Sequence, residues 1–361
     1  MIRPPRDQGS REPGRMERLR LSAPPPLSLE DERVRQLIER KWTLVERLFG
    51  IPNVAGVGVG HRIIEREGTV RDEPVIRIYV SRKYRSASVL RRRRLPDLRR
   101  LPWLPDEIDV VQGRPFAQTR RRLENAAPPP HGAPLTGGSS VGLRGQSNSS
   151  GTAGLVCRDD RDGGRPVLLS AWHVLGGGRT QIQAGAEVVS PAPIYTASAR
   201  RVGQLKRWAY GGTVDAAIAS IDDPMAARIG ELPGHRVRGL RDVLREGSPP
   251  KWFKYGAFSH WTSAYLWDAD YSATYIVGPP GRRGRLSLHG LFMLGAFADE
   301  DGNVREVSRG GDSGAVWVDN DVRVLGLHVG GDRDDDTSTE YALVCPATSI
   351  LGALGISVEG A

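Results

Sequence analysis

The sequence predicts a mainly β protein in which a small α+β segment precedes a larger all-β unit. Three observations carry that expectation. Helical periodicity is concentrated in one early stretch, Leu29 to Phe49. Alternating or β-branched runs bounded by turn-forming residues dominate the chain beyond residue 137. Between the two parts lies a proline- and glycine-containing connection, residues 120–136, with Pro128-Pro129-Pro130 inside it. The expected organisation is a basic, disordered tail over 1–28, an α+β domain over 29–119, the linker over 120–136 and the β unit over 137–361.

Within the first domain, Val34, Leu37, Ile38, Trp42, Val45 and Leu48 recur at three- and four-residue spacing, which predicts an amphipathic helix stopped by Gly50. Strands are expected over Asn53 to Ile64 and Pro74 to Ser81, joined by a turn at Glu67-Gly68, with a third over Glu107 to Val111. The run Gly56-Val57-Gly58-Val59-Gly60 is read as a glycine-rich strand lying close against another backbone. A phosphate loop is the competing reading, but these glycines alternate with valines instead of opening a helix.

Composition sets limits. A chain of 361 residues with 39% hydrophobic content holds enough apolar material for a real core and about two domains. Apolar runs stay well short of the roughly 18 residues that a membrane span needs. Residues 1–25 lack the apolar stretch of a secretory signal, so the expected location is the cytoplasm. Only Cys157 and Cys345 are available, which argues against a disulfide framework and leaves a single bridge open. Residues 81–122 carry 13 Lys or Arg against 4 Asp or Glu, a net of +9 that equals the whole-chain excess. The densest part, Arg91 to Arg94, could hold nucleic acid or an acidic partner by counterion release. A solvated connection is the other reading, because no aromatic stacking platform is interleaved with these arginines.

The most informative tetrapeptide is Gly311-Asp312-Ser313-Gly314. All of its residues are turn formers, so an ordinary β-turn would have this composition. A nucleophile loop would too: a serine that attacks a carbonyl must protrude from a tight turn, and glycines let backbone N–H groups reach a developing oxyanion. Gly311 and Ser313 would supply those donors. A hydroxyl needs a histidine to take its proton and a carboxylate to hold the histidine's tautomer. Among seven histidines, His173 ends the apolar run Pro166 to Val174 and precedes Gly176-Gly177-Gly178. Asp215 opens the apolar stretch Val214-Asp215-Ala216-Ala217-Ile218, where a carboxylate is costly to bury without a partner. His173, Asp215 and Ser313 follow one another at intervals of 42 and 98 residues.

These three blocks resemble the catalytic blocks of trypsin-like serine peptidases of the chymotrypsin superfamily, in particular bacterial members, over roughly residues 137–361. Gly151-Thr152-Ala153-Gly154 is similar to the block before the histidine strand, and Lys254-Tyr255-Gly256 to a Lys-x-Gly strand between acid and nucleophile. The small domain resembles one that precedes the peptidase in some bacterial proteins, as a pro-segment or a recognition module. The resemblance implies a chymotrypsin-like double antiparallel β-barrel and a serine endopeptidase acting on protein or peptide substrates through an acyl-enzyme, with no metal and no cofactor. Many secreted relatives carry cysteine directly after the histidine; Val174 stands there in this chain.

The resemblance also implies a primary pocket. Val307, six residues before Ser313, would sit at its base, and the absence of an aspartate there argues against Arg or Lys at the cleaved position. His328, Val329, Gly330 and Gly331 would lie along its wall. The Gly-x-His-x-Gly-Gly context is similar to glutamyl endopeptidases and implies that acidic side chains are accepted; a strand histidine facing the barrel interior is the alternative. Asp312 matches an acid that pairs with a newly cut amino terminus in trypsin-like zymogens. Either a cut near Ser140-Val141-Gly142 supplies that terminus, or another donor satisfies Asp312. A catalytically silent fold serving as a binding or scaffold module is the competing function.

Overall fold

The early periodic stretch forms a helix over Glu32–Leu48, with Asp31 as its N-cap accepting from the Arg33 N–H. Val34, Leu37, Leu44, Val45 and Leu48 are buried along one face. Leu27, placed by composition in the tail, is buried with them. The structure is a computed structural model that describes residues 27–49, 51, 53–64, 69–81, 105–112, 134–146, 150–177, 183–194, 199–277, 284–296, 306–331 and 341–358. The arginine cluster at 91–94 lies outside the described residues.

Two antiparallel strands follow the helix, Val54–Ile64 and Thr69–Val80, and Ile108–Gln112 runs parallel to the second. The second strand begins before Pro74, where the sequence places its start. Pro74 sits opposite His61, beside a break in register between His61 and Ile63, and such irregularities are where a strand tolerates a residue without an N–H.

These strands join the edge of a larger sheet. Val54–Ile64 pairs with the second half of the long strand His260–Val277. From there the sheet continues through Gly284–Gly295, Tyr341–Pro346, Val324–Gly331 and Val316–Val318 to Trp252–Gly256. Trp252–Gly256 in turn pairs with the first half of His260–Val277, so six of the nine strands close on themselves. Eighteen residues make this strand long enough to close the barrel and still offer an edge to the N-terminal strands.

The glycine-rich run explains how that edge is occupied. Side chains on Gly58 or Gly60 would collide with Asp268, and one on Gly56 with Tyr271. The close approach is therefore by side chains, not by a neighbouring backbone as the sequence suggested. It makes room for the wholly buried ion pair of Arg77 Nη1 and Asp268 Oδ1 at 2.8 Å, to which the Tyr79 hydroxyl adds a 2.6 Å bond. The Arg77 guanidinium also lies over the Trp267 ring, 4.4 Å from its centroid.

The second sheet has eight strands. Its order is Ile356–Ser357, Leu155–Asp159, Arg165–Ser170, Val214–Ser220, Arg200–Gly211, Glu187–Ser190, Ser140–Leu143 and Ser150–Thr152. Its apolar side chains share one core with those of the closed barrel, among them Val141, Leu168, Ile218, Leu327 and Leu343. The helix Ala347–Leu354 leads from the last strand of the closed barrel into Ile356–Ser357 and ties the two together. The architecture is mainly β, and its closed six-stranded barrel and second eight-stranded sheet around a shared core are consistent with the chymotrypsin-like double barrel that the sequence predicts. Cys157 and Cys345 are both buried and free, so the bridge left open by the sequence is not formed. No helix among the described residues is long and apolar enough to cross a membrane.

Candidate active site

His173 does not end a strand. The strand Arg165–Ser170 stops at Ser170, and Trp172–Leu175 forms a single helical turn in which Val174 and Leu175 donate to the Ala171 carbonyl. The apolar run from 166 to 174 reads as one strand because buried strands and buried helical turns are equally apolar. The turn is wedged by Trp172, which is fully buried and stacked on Tyr210 at a centroid distance of 4.2 Å and an interplanar angle of 15°. Tyr210 is the cross-strand partner of Asp215, so the same stack that orients the turn fixes the acid opposite it.

Asp215 is 1% exposed and meets His173 twice. Its Oδ2 lies 2.8 Å from His173 Nδ1, and its Oδ1 accepts the His173 backbone N–H at 3.2 Å. With Nδ1–H donating to the carboxylate, Nε2 is left as the acceptor. Burial alone would lower the imidazole pKa; the charge of Asp215 and its bond to the ring outweigh burial, and the net direction is upward.

The nucleophile loop is held from several sides. Gly311 and Gly314 have φ of 99° and 96°, a region that L side chains rarely adopt. A side chain on Gly311 would collide with Phe258, and one on Gly314 with Ser170 and the Thr152 backbone. Thr152 donates its N–H to the Ser313 carbonyl at 2.8 Å and its hydroxyl to the Gly311 carbonyl at 2.8 Å. Gly314 N–H donates to the His328 carbonyl at 2.7 Å. The loop is also brought beside the histidine turn, because a side chain on Gly151 would collide with both Val174 and the Ser313 carbonyl.

Ser313 is half-buried, and its hydroxyl makes no hydrogen bond among the described residues, to His173 or to any other group. The backbone N–H groups of Gly311 and Ser313 likewise donate to no backbone acceptor among the described residues, whereas the Asp312 N–H between them is committed to the Arg309 carbonyl at 3.0 Å. Two amides without a backbone acceptor thus flank one that is committed, on either side of Asp312.

Asp312 is satisfied from within the chain. Lys254 Nζ lies 2.8 Å from its Oδ2, both side chains wholly buried. The Arg309 N–H adds a 2.9 Å bond to Oδ2, and the N–H groups of Ser259 and Phe258 reach Oδ1 at 3.1 and 3.3 Å. Burial would raise this carboxyl's pKa, but the Lys254 charge and these bonds outweigh it, so it lies below the usual carboxylate range. Of the two donors that the sequence left open for Asp312, the internal one is present. Gly256 permits it, since a side chain there would run into the Asp312 carboxylate.

The pocket residues divide. Gly330 and Gly331 are partly exposed at the end of their strand. Val307 is wholly buried and Val329 is 3% exposed, both packed into the core. His328 is 2% exposed, its ring 6.2 Å from that of Trp317, and Nδ1 is buried without a hydrogen-bond partner. Burial first, and then the Lys254 charge, push its pKa down to about 3, so the imidazole is neutral. Sequence reasoning missed Ser308, whose hydroxyl lies against the Gly331 backbone, and Phe258, which covers Gly311. Ser308 adjoins Val307 in sequence and was within reach of the same spacing argument; Phe258 carries no such signal.

No family model matches the chain, and no curated protein matches it. Among solved structures, a chymotrypsin of Cellulomonas bogoriensis is 16% identical over 63% of this chain and 99% of its own, with a TM-score of 0.42. Protease A of Thermobifida fusca is 16% identical over 62% of this chain and 97% of its own, with a TM-score of 0.41. A glutamic acid specific serine protease described as using a histidine triad in substrate binding is 19% identical over 62% of this chain and 100% of its own, with a TM-score of 0.38. Likeness of this degree assigns no chemistry to individual residues.

Proposed function

We propose that the chain is a serine endopeptidase. The observation that carries the reading is the buried carboxylate–imidazole pair of Asp215 and His173, set beside a glycine-walled serine loop whose two flanking amides are unused. Ser313 Oγ attacks the scissile carbonyl while His173 Nε2 takes its proton. The N–H groups of Gly311 and Ser313 receive the oxyanion, each worth about 3 to 4 kcal/mol at the transition state. His173 then protonates the leaving amine, and water repeats the sequence on the acyl-enzyme. Asp215 keeps Nδ1 protonated and stabilises the imidazolium.

Ser313 and His173 must close on each other for the first proton transfer, and catalytic bonds that are long in the free enzyme commonly tighten when substrate binds. The unmade bond is also what favours the competing reading, a silent scaffold of the same fold. Labelling with a fluorophosphonate separates the two. The endopeptidase reading requires modification of the full chain at Ser313, abolished in Ser313→Ala and in His173→Ala; an unlabelled wild type establishes the scaffold.

At the cleaved position, the reading favours acidic side chains. A neutral His328 retains one ring N–H to offer a carboxylate. Cleavage of a peptide library with Glu or Asp preferred supports this specificity; a preference for Arg or Lys rejects it.

A further inference from the structure

We infer that the N-terminal helix Glu32–Leu48 is a positioning element for the triad, holding the turn that carries Asp215 through two separate contacts with the strand Gly284–Gly295; the inference rests on the triad assignment above. Asp215 follows the turn Gly211-Gly212-Thr213, in which Gly211 and Gly212 have φ of 93° and 60°. A side chain on Gly212 would meet nothing within 4 Å, so the turn is not seated by packing of its own. Its orientation comes from the opposite barrel. The His289 N–H donates to the Gly212 carbonyl at 2.7 Å, and Gly290 lies against the Thr213 methyl group.

Both residues that hold the turn are themselves held by the helix. His289 is contacted by Phe49, stacked at 5.8 Å and 16°, and by Trp42, tilted by 49° at 5.2 Å. Gly290 also neighbours Asp270, whose Oδ1 would be in ordinary contact, 3.5 Å, with a side chain at that position. Asp270 is in turn fixed by Lys41: Nζ lies 3.0 Å from Asp270 Oδ2, donates to Ser272 Oγ at 2.8 Å, and donates to the Asp270 carbonyl. Lys41 is fully buried, and Asp270 has φ of 47°, so neither keeps its place without the other. The helix thus reaches the acid turn by an aromatic route through His289 and by an ionic route through Asp270. The two routes converge on two consecutive residues, Gly212 and Thr213, and the acid lies two positions further on.

A helix that only stabilised the barrel would alter melting and leave the His173 environment unchanged. A positioning helix alters both. Trp42 is the residue to test, because at 43% exposure its truncation spares the core. In the full chain, Trp42→Ala is expected to lower kcat about tenfold with little change in KM, the size of coupling that packed networks transmit. It is also expected to lower the His173 titration midpoint, followed by NMR, by about half a pH unit as the Asp215 contact loosens. Trp42→Phe keeps a ring on His289 but loses the indole bond to Asp270, and restores both in part. Should Trp42→Ala fail to fold, Trp42→Leu keeps the apolar volume without the ring and is read in the same way. A folded variant with an unchanged His173 midpoint overturns the inference. The titration needs no turnover, so a shifted midpoint in a chain that fluorophosphonate does not label would sink the peptidase reading and leave the coupling standing.

Discussion

Lys254 Nζ and Asp312 Oδ2 meet at 2.8 Å inside the protein, and the carboxylate belongs to the residue directly before the candidate nucleophile. The cation that this loop needs is part of the chain and is in place without a newly cut amino terminus. An acid left alone at this position would be pulled toward solvent and would take the neighbouring Gly311 and Ser313 amides with it.

Lys254→Met tests that arrangement. It leaves Asp312 buried and uncompensated, at an expected cost of about 3 to 5 kcal/mol in denaturant unfolding. Fluorophosphonate labelling of Ser313 should fall with it, and adding Asp312→Asn should recover part of the stability. A single variant as stable as wild type would contradict the ion pair's role.

Asp215→Asn retains the shape of the acid and removes its charge. The amide can donate to Nδ1, which favours the tautomer with its proton on Nε2, where Ser313 needs an acceptor. By analogy with the same exchange in another triad, kcat should drop on the order of 10⁴-fold. The fold should survive, so circular dichroism and melting serve as controls. Loss of less than about tenfold would remove Asp215 from the mechanism.

The raised pKa of His173 acts in opposite directions on rate and stability. In the proposed mechanism the general base must be neutral, so the acid limb of kcat/KM should have its midpoint above about 6.5. The native state favours the charged ring, so this residue's contribution to stability is complete below the unfolded-state pKa and is lost as pH rises through the folded-state value. Stability of wild type relative to His173→Gln should therefore hold below about pH 6.5 and decline as pH rises above it. Asp312 runs the other way: its depressed pKa means that its contribution is present above the unfolded value and lost as pH falls through the folded one. A kcat/KM acid limb centred below the ordinary histidine value would show that Asp215 does not govern the base.

Gly314→Ala introduces a side chain at φ of 96° against Ser170 and the Thr152 backbone. Strain of this kind costs about 1 to 3 kcal/mol, to which the collision adds. Because Gly314 N–H anchors the loop to the His328 carbonyl, labelling of Ser313 should fall further than stability alone explains. Melting and labelling rate measured together check it; a variant with unchanged labelling would show that the loop tolerates displacement.

Some of this was legible along the chain. The early helix declared itself because one face repeats at helical spacing, and the strand Val214–Ser220 because it is an apolar run opened by a single acid. The histidine turn did not: Ala171 to Leu175 is as apolar as the strand before it, and only the stacking of Trp172 on Tyr210 distinguishes a turn there. Lys41 reads as one more polar position on a helix, because its partner Asp270 is 229 residues away. The burial of Val307 and Val329 in the core is set by packing that no spacing along the chain declares.

By itself the sequence determined which side chains are available for chemistry and the order in which they come, because nucleophile, base and acid each demand a residue type with a recognisable local setting. It also determined where backbone could adopt left-handed turns, since glycine alone does so freely. The tertiary structure decided which charges are paired, which histidines are buried neutral, and that the N-terminal strands extend the barrel sheet. Those outcomes depend on distances between residues far apart in the chain, and burial, which sets both the cost of a charge and the value of its partner, exists only once the barrels have closed.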